Sequence, residues 1–242
     1  MGEDRLVPER YRFLSNSALK LIALICMLLD HTAGALLYDD VGVLFTVFGK
    51  MIGWHEIFRT LGRLAFPIYG FLLVEGFHHT RDRKLYGIRL LLFALISEIP
   101  WNLEHTGTLC YSNQNVFFTL LLGYLGLCAA ERLKADGDRR PWVALLLCLL
   151  ALSFVLHADY GGYGFGFILL MYLLRDRSVL RAVAGACSLP GQWRSGLAFV
   201  PIAFYNGRRG FIRGTVLQLL FYGAYPAHLL LLFFIKRSMG GY

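Results

Sequence analysis

Long apolar runs, separated by short polar connections, dominate the chain. They fall approximately at residues 19–38, 57–77, 85–99, 116–130, 142–156, 165–174, 179–189, 197–205 and 215–235. A bilayer crossing needs about 20 apolar residues in a helix, and in lipid only a helix or a closed barrel satisfies its own backbone hydrogen bonds. The pattern therefore predicts an all-α, polytopic transmembrane bundle of about eight to ten helices. Several runs are too short to cross alone. These are expected to extend into their flanks, to tilt, or to enter and leave by one face. Residues 41–54 are apolar, contain glycine and carry Lys50, which predicts a re-entrant or interfacial piece.

Charge alternates between connections. Cations gather in the N-terminal arm (Arg5, Arg10, Arg12, Lys20) and after the second, fourth, sixth and eighth runs. Asp39 with Asp40, Glu104 and Asp159 mark the connections between. Positive loops stay on the cytoplasmic side, so a cytoplasmic N-terminus in a bacterial inner membrane is expected. Residues 1–16 form a cytoplasmic arm and residues 17–242 a single membrane domain. Lys236 and Arg237 fit poorly if the last run crosses once, and Gly223 to Pro226 are read as a possible break in it.

Of 242 residues, 57% are hydrophobic and 17% charged, below the quarter or so of charged residues in soluble domains. A net charge of +8 raises nucleic acid as a partner, but no nucleic-acid motif is present and the cations sit in topogenic loops. The five cysteines show no CxxC or Cys/His zinc spacing, so neither a disulfide nor a metal is expected. The first apolar run is read as a retained span rather than a cleaved signal.

Ionisable groups inside spans are costly, roughly 2.5–3.5 kcal/mol each, so each one needs a reason. Asp30 and His31 lie in the first run, where His31 is expected about 18 Å along the helix, near the midplane, as a proton acceptor. Neighbouring helical residues diverge by about 100°, so the pair need not touch. Arg59 and Arg63 are four apart, and Arg63 is expected either to pair with Asp30 or to serve the site. Glu75, His78 and His79 share a helix face at the mouth. Asn115 and Thr119 stand at a helix start, where Asn is a natural cap. Asp159 lies in a glycine-rich turn and is suited to orienting a base. In YNGRRG (205–210), guanidinium groups beside glycines suit phosphate. Tyr222, Tyr225, Pro226 and His228 interrupt the last run.

LKLIALICMLLDHTA, RTLGRLAFPIYGFLLVEGFHHT, YGIRLLLFALISEIP, NVFFTLLLG, the Asp159–Tyr160 turn, YNGRRG and FYGAYPAHLL occur in an order that resembles TraX-like proteins, from about Leu19 to Leu230. That family is similar to the transmembrane acyltransferases that draw acyl-CoA from the cytoplasm, and its named activity is acetylation of a pilin N-terminus. The resemblance implies that His31 is the catalytic histidine. Arg63, Asn115, Asp159, Tyr205, Asn206, Arg209, Tyr225 and His228 fall in matching motifs.

The expected chemistry is acetyl transfer from acetyl-CoA to an amine or hydroxyl, on a peptide N-terminus, a glycan or a small molecule. Asp30 or Asp159 would fix the imidazole tautomer, and Arg63 or Asn115 would stabilise the oxyanion. Arg208, Arg209, Arg81, Arg83, Lys84 and His79 are candidates to hold the donor's phosphates. The alternatives are a proton-coupled transporter or flippase, and a non-catalytic partner of a pilus or secretion complex.

Overall fold

The computed structural model describes residues 6–37, 42–47, 50–191 and 193–240. The Asp39–Asp40 connection lies outside them. The elements are α1 (Asn16–Leu36), β1 (Val43–Val47), β2 (Lys50–Gly53), α2 (Trp54–Gly62), α3 (Ala65–His79), α4 (Arg83–Thr106), α5 (Val116–Ala135), α6 (Arg140–Val155), α7 (Gly161–Leu173), α8 (Ser178–Cys187), α9 (Phe199–Ala203) and α10 (Thr215–Ser238). Short 3-10 turns occupy Glu9–Tyr11 and Trp193–Ala198.

Four segments are long and apolar enough to cross a membrane: Asn16–Leu36, Trp54–His79, Val116–Ala135 and Thr215–Ser238. Their outward side chains are apolar and exposed, as with Leu21, Ile25, Leu220 and Leu231. Lipid, not water, is the solvent that tolerates such a surface. The chain is a multi-pass membrane protein.

Basic connections that are far apart in the chain collect at one end of the bundle. Ties confirm the grouping: Tyr124 donates to the Arg83 carbonyl at 2.6 Å, Lys134 to the Tyr172 hydroxyl at 3.1 Å, and the Leu6 amide to Ser178 Oγ at 3.0 Å. This is the arginine-rich end. At the opposite end, the Gln114 amide donates to the His157 carbonyl at 3.1 Å and the Asp159 amide to the Gln114 carbonyl at 3.0 Å. The second apolar run divides at Arg63–Leu64 into α2 and α3.

Three expectations become specific. Residues 41–54, read as a re-entrant or interfacial piece, hold in their described part an antiparallel hairpin, β1 with β2, followed by the start of α2. Its Val43, Leu44 and Phe45 are exposed, and β-branched residues favour extended backbone. The last run does not break at Gly223–Pro226; α10 continues through Pro226, with Lys236 and Arg237 at the end opposite the arginine loops. Residues 178–205 are the segment that enters and leaves by one end. A Cβ on Gly185 would lie 2.2 Å from Phe199, and one on Gly196 3.0 Å from Ala186, so close approach folds α8 back on the segment that leads to Tyr205.

Candidate functional site

His31 and His228 meet in the interior. His31 Nδ1 lies 2.5 Å from His228 Nε2. The ring planes are 14° apart and the centroids 4.8 Å apart. An N···N contact that short inside that separation leaves room only for the two ring radii, so the imidazoles meet edge to edge. The proton between them can be assigned. His228 Nδ1 lies 3.0 Å from the Ala224 carbonyl, which only accepts, so Nδ1 carries hydrogen and the neutral ring accepts at Nε2. His31 must then donate from Nδ1. Its own Nε2 is left with a lone pair.

The surroundings come from four helices. Trp101 on α4 lies 6.4 Å from His31 between ring centroids, and Tyr225 on α10 5.9 Å away. The Tyr225 hydroxyl is buried with no hydrogen-bond partner among the described residues; Phe117, at the start of α5, meets its ring edge-on with centroids 5.4 Å apart. His228, His105 and Arg59 act on His31 by charge. His105 bonds Glu104 at 2.7 Å and lies against Trp101, centroids 3.8 Å apart.

Asp30 does not hold the His31 tautomer. Its Oδ2 accepts from Arg59 Nη1 at 2.8 Å, and its Oδ1 is buried without a partner. A glycine at position 62 makes this pair possible, because a Cβ there would lie 2.3 Å from Asp30 Cβ. Arg59, not Arg63, is the residue bonded to Asp30. Arg63 sits at the α2–α3 junction, close enough to Tyr160 and Asp159 to act on both by charge.

Asn115 is fully committed. Its Oδ1 accepts the Phe117 amide at 3.1 Å, and its Nδ2 donates to the Ala94 carbonyl at 2.9 Å and to Glu98 at 2.6 Å. Two amide hydrogens serve two acceptors, so Asn115 caps α5 and ties it to α4, with no donor left for an oxyanion. Thr119 accepts the Tyr160 amide at 3.3 Å.

Asp159 stands in the α6–α7 turn. Protein crowded around it pushes its carboxyl up to about 6, with His105 and Arg63 opposing the rise.

His31 lies fifteen residues from the start of α1 and five from its end, about 22 Å and about 8 Å along the helix. The dyad therefore sits in the half of α1 away from the arginine loops.

The residues assigned to donor binding divide accordingly. His228 is in the dyad, and the Tyr225 ring lies 5.6 Å from it between centroids. Arg81, Arg83, Lys84 and His79 are exposed at the arginine-rich end, where His79 Nδ1 donates to the Glu75 carbonyl at 2.8 Å. In YNGRRG, the Arg208 and Arg209 carbonyls accept the Asn16 and Ser17 amides at 2.8 and 3.1 Å. Gly210, at φ +81°, lies so close that a Cβ would be 2.4 Å from Ser15 Oγ. The backbone of that loop thus caps α1 and leaves its guanidinium groups exposed. The Asn206 Oδ1 accepts the Arg208 amide at 2.9 Å.

Tyr205 lines a separate cavity, and burial, with Glu75 beside it, pushes its hydroxyl up to about 12. Trp101, Glu104 and His105 were not singled out from sequence. The signal available was Trp101 and His105 at i and i+4 on one helix face.

Among the described residues, no group of three His, Cys, Asp or Glu side chains is placed to hold a metal ion. All five cysteines are reduced thiols.

The fold and the site define a multi-pass α-helical membrane protein built around a deep, hydrogen-bonded histidine pair. The family described as TraX protein matches residues 15–236, and the chain belongs to that family. It is also 32% identical over 251 residues to a probable fimbrial assembly protein FimC, serogroup H1, of Dichelobacter nodosus. That alignment covers 88% of this chain and 92% of the relative. No solved structure matches the chain.

Proposed function

We propose that the protein is an integral membrane acyltransferase that moves an acetyl group from acetyl-CoA to an amine or hydroxyl acceptor, with His31 as general base. The single observation that carries this reading is the tautomer. His228 is anchored to the Ala224 carbonyl and holds His31 by Nδ1, which leaves Nε2 unprotonated. A base held by a second group that is itself oriented is the arrangement that activates a nucleophile.

The donor fits the residues around that nitrogen. A buried hydroxyl with no partner among the described residues, Tyr225 Oη, belongs to a ring whose centroid lies 5.9 Å from that of His31, and a developing oxyanion needs such a donor. When bound, acetyl-CoA supplies the thioester carbonyl. His31 Nε2 takes the proton from the acceptor N–H or O–H as the new C–N or C–O bond forms, then returns it to the departing thiolate. The products are the acetylated acceptor and the free thiol.

His228 keeps Nε2 available throughout, and Tyr225 donates to the carbonyl oxygen as charge gathers there. General-base help of this kind is worth about 10²–10⁴-fold. Arg208, Arg209, Arg81, Arg83, Lys84 and His79 remain the candidates for the donor's phosphates. Thr215 at the arginine-rich end is about 20 Å along α10 from His228, so the donor must span that depth.

By the positive-inside rule, the arginine-rich end and the N-terminal arm face the cytoplasm of a bacterial inner membrane. The acceptor then meets His31 near the far end. The fimbrial assembly name of the relative brings forward a pilus subunit as that acceptor. The test is acetyl-CoA-dependent release of free thiol by purified protein in detergent. Wild type is expected to release thiol and His31→Ala to fold but lose release. Full release by His31→Ala overturns the reading.

A further inference from the structure

A cavity of about 250 Å³ opens at the arginine-rich end, between the N-terminal arm, α3, α8 and α9. Neither His31 nor His228 lines it. Helix α3 stands between the two sites: Tyr69 lies near Cys26 and Tyr222, whereas Phe71, two residues on and on another helix face, lines the cavity.

The walls divide by chemistry. Phe71, Phe199 and Ile202 supply an apolar side, and Arg12, Arg175 and Arg181 the cations. Arg175 is matched by Glu75, Nε to Oε1 at 3.4 Å. Arg181 spends Nη1 on the Arg175 carbonyl at 3.2 Å and lies over the Phe71 ring at 5.0 Å. Arg12 differs. Its side chain is only 14% exposed, its ion pair with the exposed Glu9 is long at 3.7 Å, and its Nε is buried with no acceptor among the described residues. A buried charged donor left unmet is costly, and native structures rarely keep one without a reason. The protein folds an arm across the cavity, fixed by Leu6 to Ser178 at 3.0 Å and by Leu14 to the Phe204 carbonyl at 3.0 Å. That arm places Arg12 at the wall.

We propose that this cavity binds the phosphate head of an amphiphile, with phosphate oxygens on Arg12 and Arg181 and the apolar portion against Phe71, Phe199 and Ile202. Guanidinium groups match phosphate oxygens in geometry and are weakly hydrated, so they bind them well where water is scarce. The volume lies just below the usual range for small-molecule pockets, about 300–1,000 Å³, so it holds a headgroup rather than a whole lipid. The shared chemistry has two sources, a phospholipid of the surrounding leaflet or a soluble phosphorylated thiol such as coenzyme A. The site does not depend on the acyltransferase reading.

The experiment is ligand-induced thermal stabilisation of the full chain in detergent, titrated separately with phosphatidylglycerol, coenzyme A and uncharged diacylglycerol. Each variant is read against its own ligand-free Tm. A saturable rise is expected with a phosphate-bearing probe and not with diacylglycerol. Apparent affinity is expected to weaken by about tenfold or more in Arg12→Gln and in Arg181→Gln, the scale of one charge-assisted hydrogen bond, and to be unchanged in His31→Ala. A rise with phosphatidylglycerol alone assigns the lipid, and one with coenzyme A alone assigns the soluble phosphate. If Arg12→Gln loosens the arm, Arg181→Gln, which leaves the arm's anchors untouched, decides. No rise with either phosphate, an equal rise with diacylglycerol, or undiminished affinity in Arg181→Gln overturns the proposal.

Discussion

His31 Nδ1 donates to His228 Nε2 across 2.5 Å, joining two residues 197 positions apart in the chain. The bond needs α1 and α10 side by side, and it needs the Ala224 carbonyl to hold the far ring. It turns two span histidines into one unit with a single free nitrogen, and it makes His228 a positioning residue.

His228→Gln removes the ring that receives the His31 proton. His31 is then free to carry its proton on either nitrogen. We expect kcat for acetyl transfer to fall about 10²-fold with KM for acetyl-CoA unchanged, read by thiol release. A rise in KM with kcat intact would place His228 in donor binding instead.

Tyr225→Phe deletes only a hydroxyl that is buried and unpartnered. Stability is expected to stay level or rise by about 1 kcal/mol, because an unmet polar group is lost. Transfer is expected to fall about 10–10³-fold if that hydroxyl meets the oxyanion. Thermal unfolding and turnover, measured on one preparation, separate the two roles.

Gly62→Ala places a methyl 2.3 Å from Asp30 Cβ. Helix α2 must move off α1, which breaks the Arg59–Asp30 pair. A loss of about 1–3 kcal/mol is expected, the scale of overpacking, seen as a lower Tm in detergent.

Asn115→Ala removes the α5 cap and both ties to α4. A cap is worth about 1 kcal/mol and each stranded buried partner about 1–3 kcal/mol, so a fall of several kcal/mol is expected. A fall in activity with Tm unchanged would return Asn115 to the chemistry.

Surrounding protein pushes the Asp159 carboxyl up to about 6 in the folded chain, above its unfolded value of about 3.9. Below about pH 4 the carboxyl is protonated in both states. Between about 4 and 6 the unfolded chain ionises while the folded one resists, so stability from this group falls as pH rises through that window and is level above it. The Tm difference between wild type and Asp159→Asn, followed from pH 4 to 7, is expected to show that slope. A flat difference would place the carboxyl in ordinary water.

Much of this protein is legible from the chain. Apolar run length announces the spans, because lipid demands a continuous apolar helix whatever its neighbours are. The DH pair at Asp30–His31 announces a site, because charge in a span is too costly to be idle. The short runs after residue 178 announce only that they cannot cross alone; turning back is one of three arrangements they allow.

What pairs with what belongs to the tertiary structure. Asp30 and His31 are adjacent, yet one turns to Arg59 and the other to His228, since neighbours on a helix diverge by about 100° and helix packing chooses each partner. In the sequence Asn115 reads as a cap and also as an oxyanion donor; α4 brings Ala94 and Glu98 to its amide and leaves only the cap and the ties. The depth of His31 depended on where α1 ends, which apolar composition does not mark. The Arg12 cavity comes from an arm that looks like a plain basic leader in the sequence. Hydrophobicity along a chain is a local property, so sequence alone determined the membrane helices. Hydrogen-bond partners are set by distances between helices, so only packing decided the site.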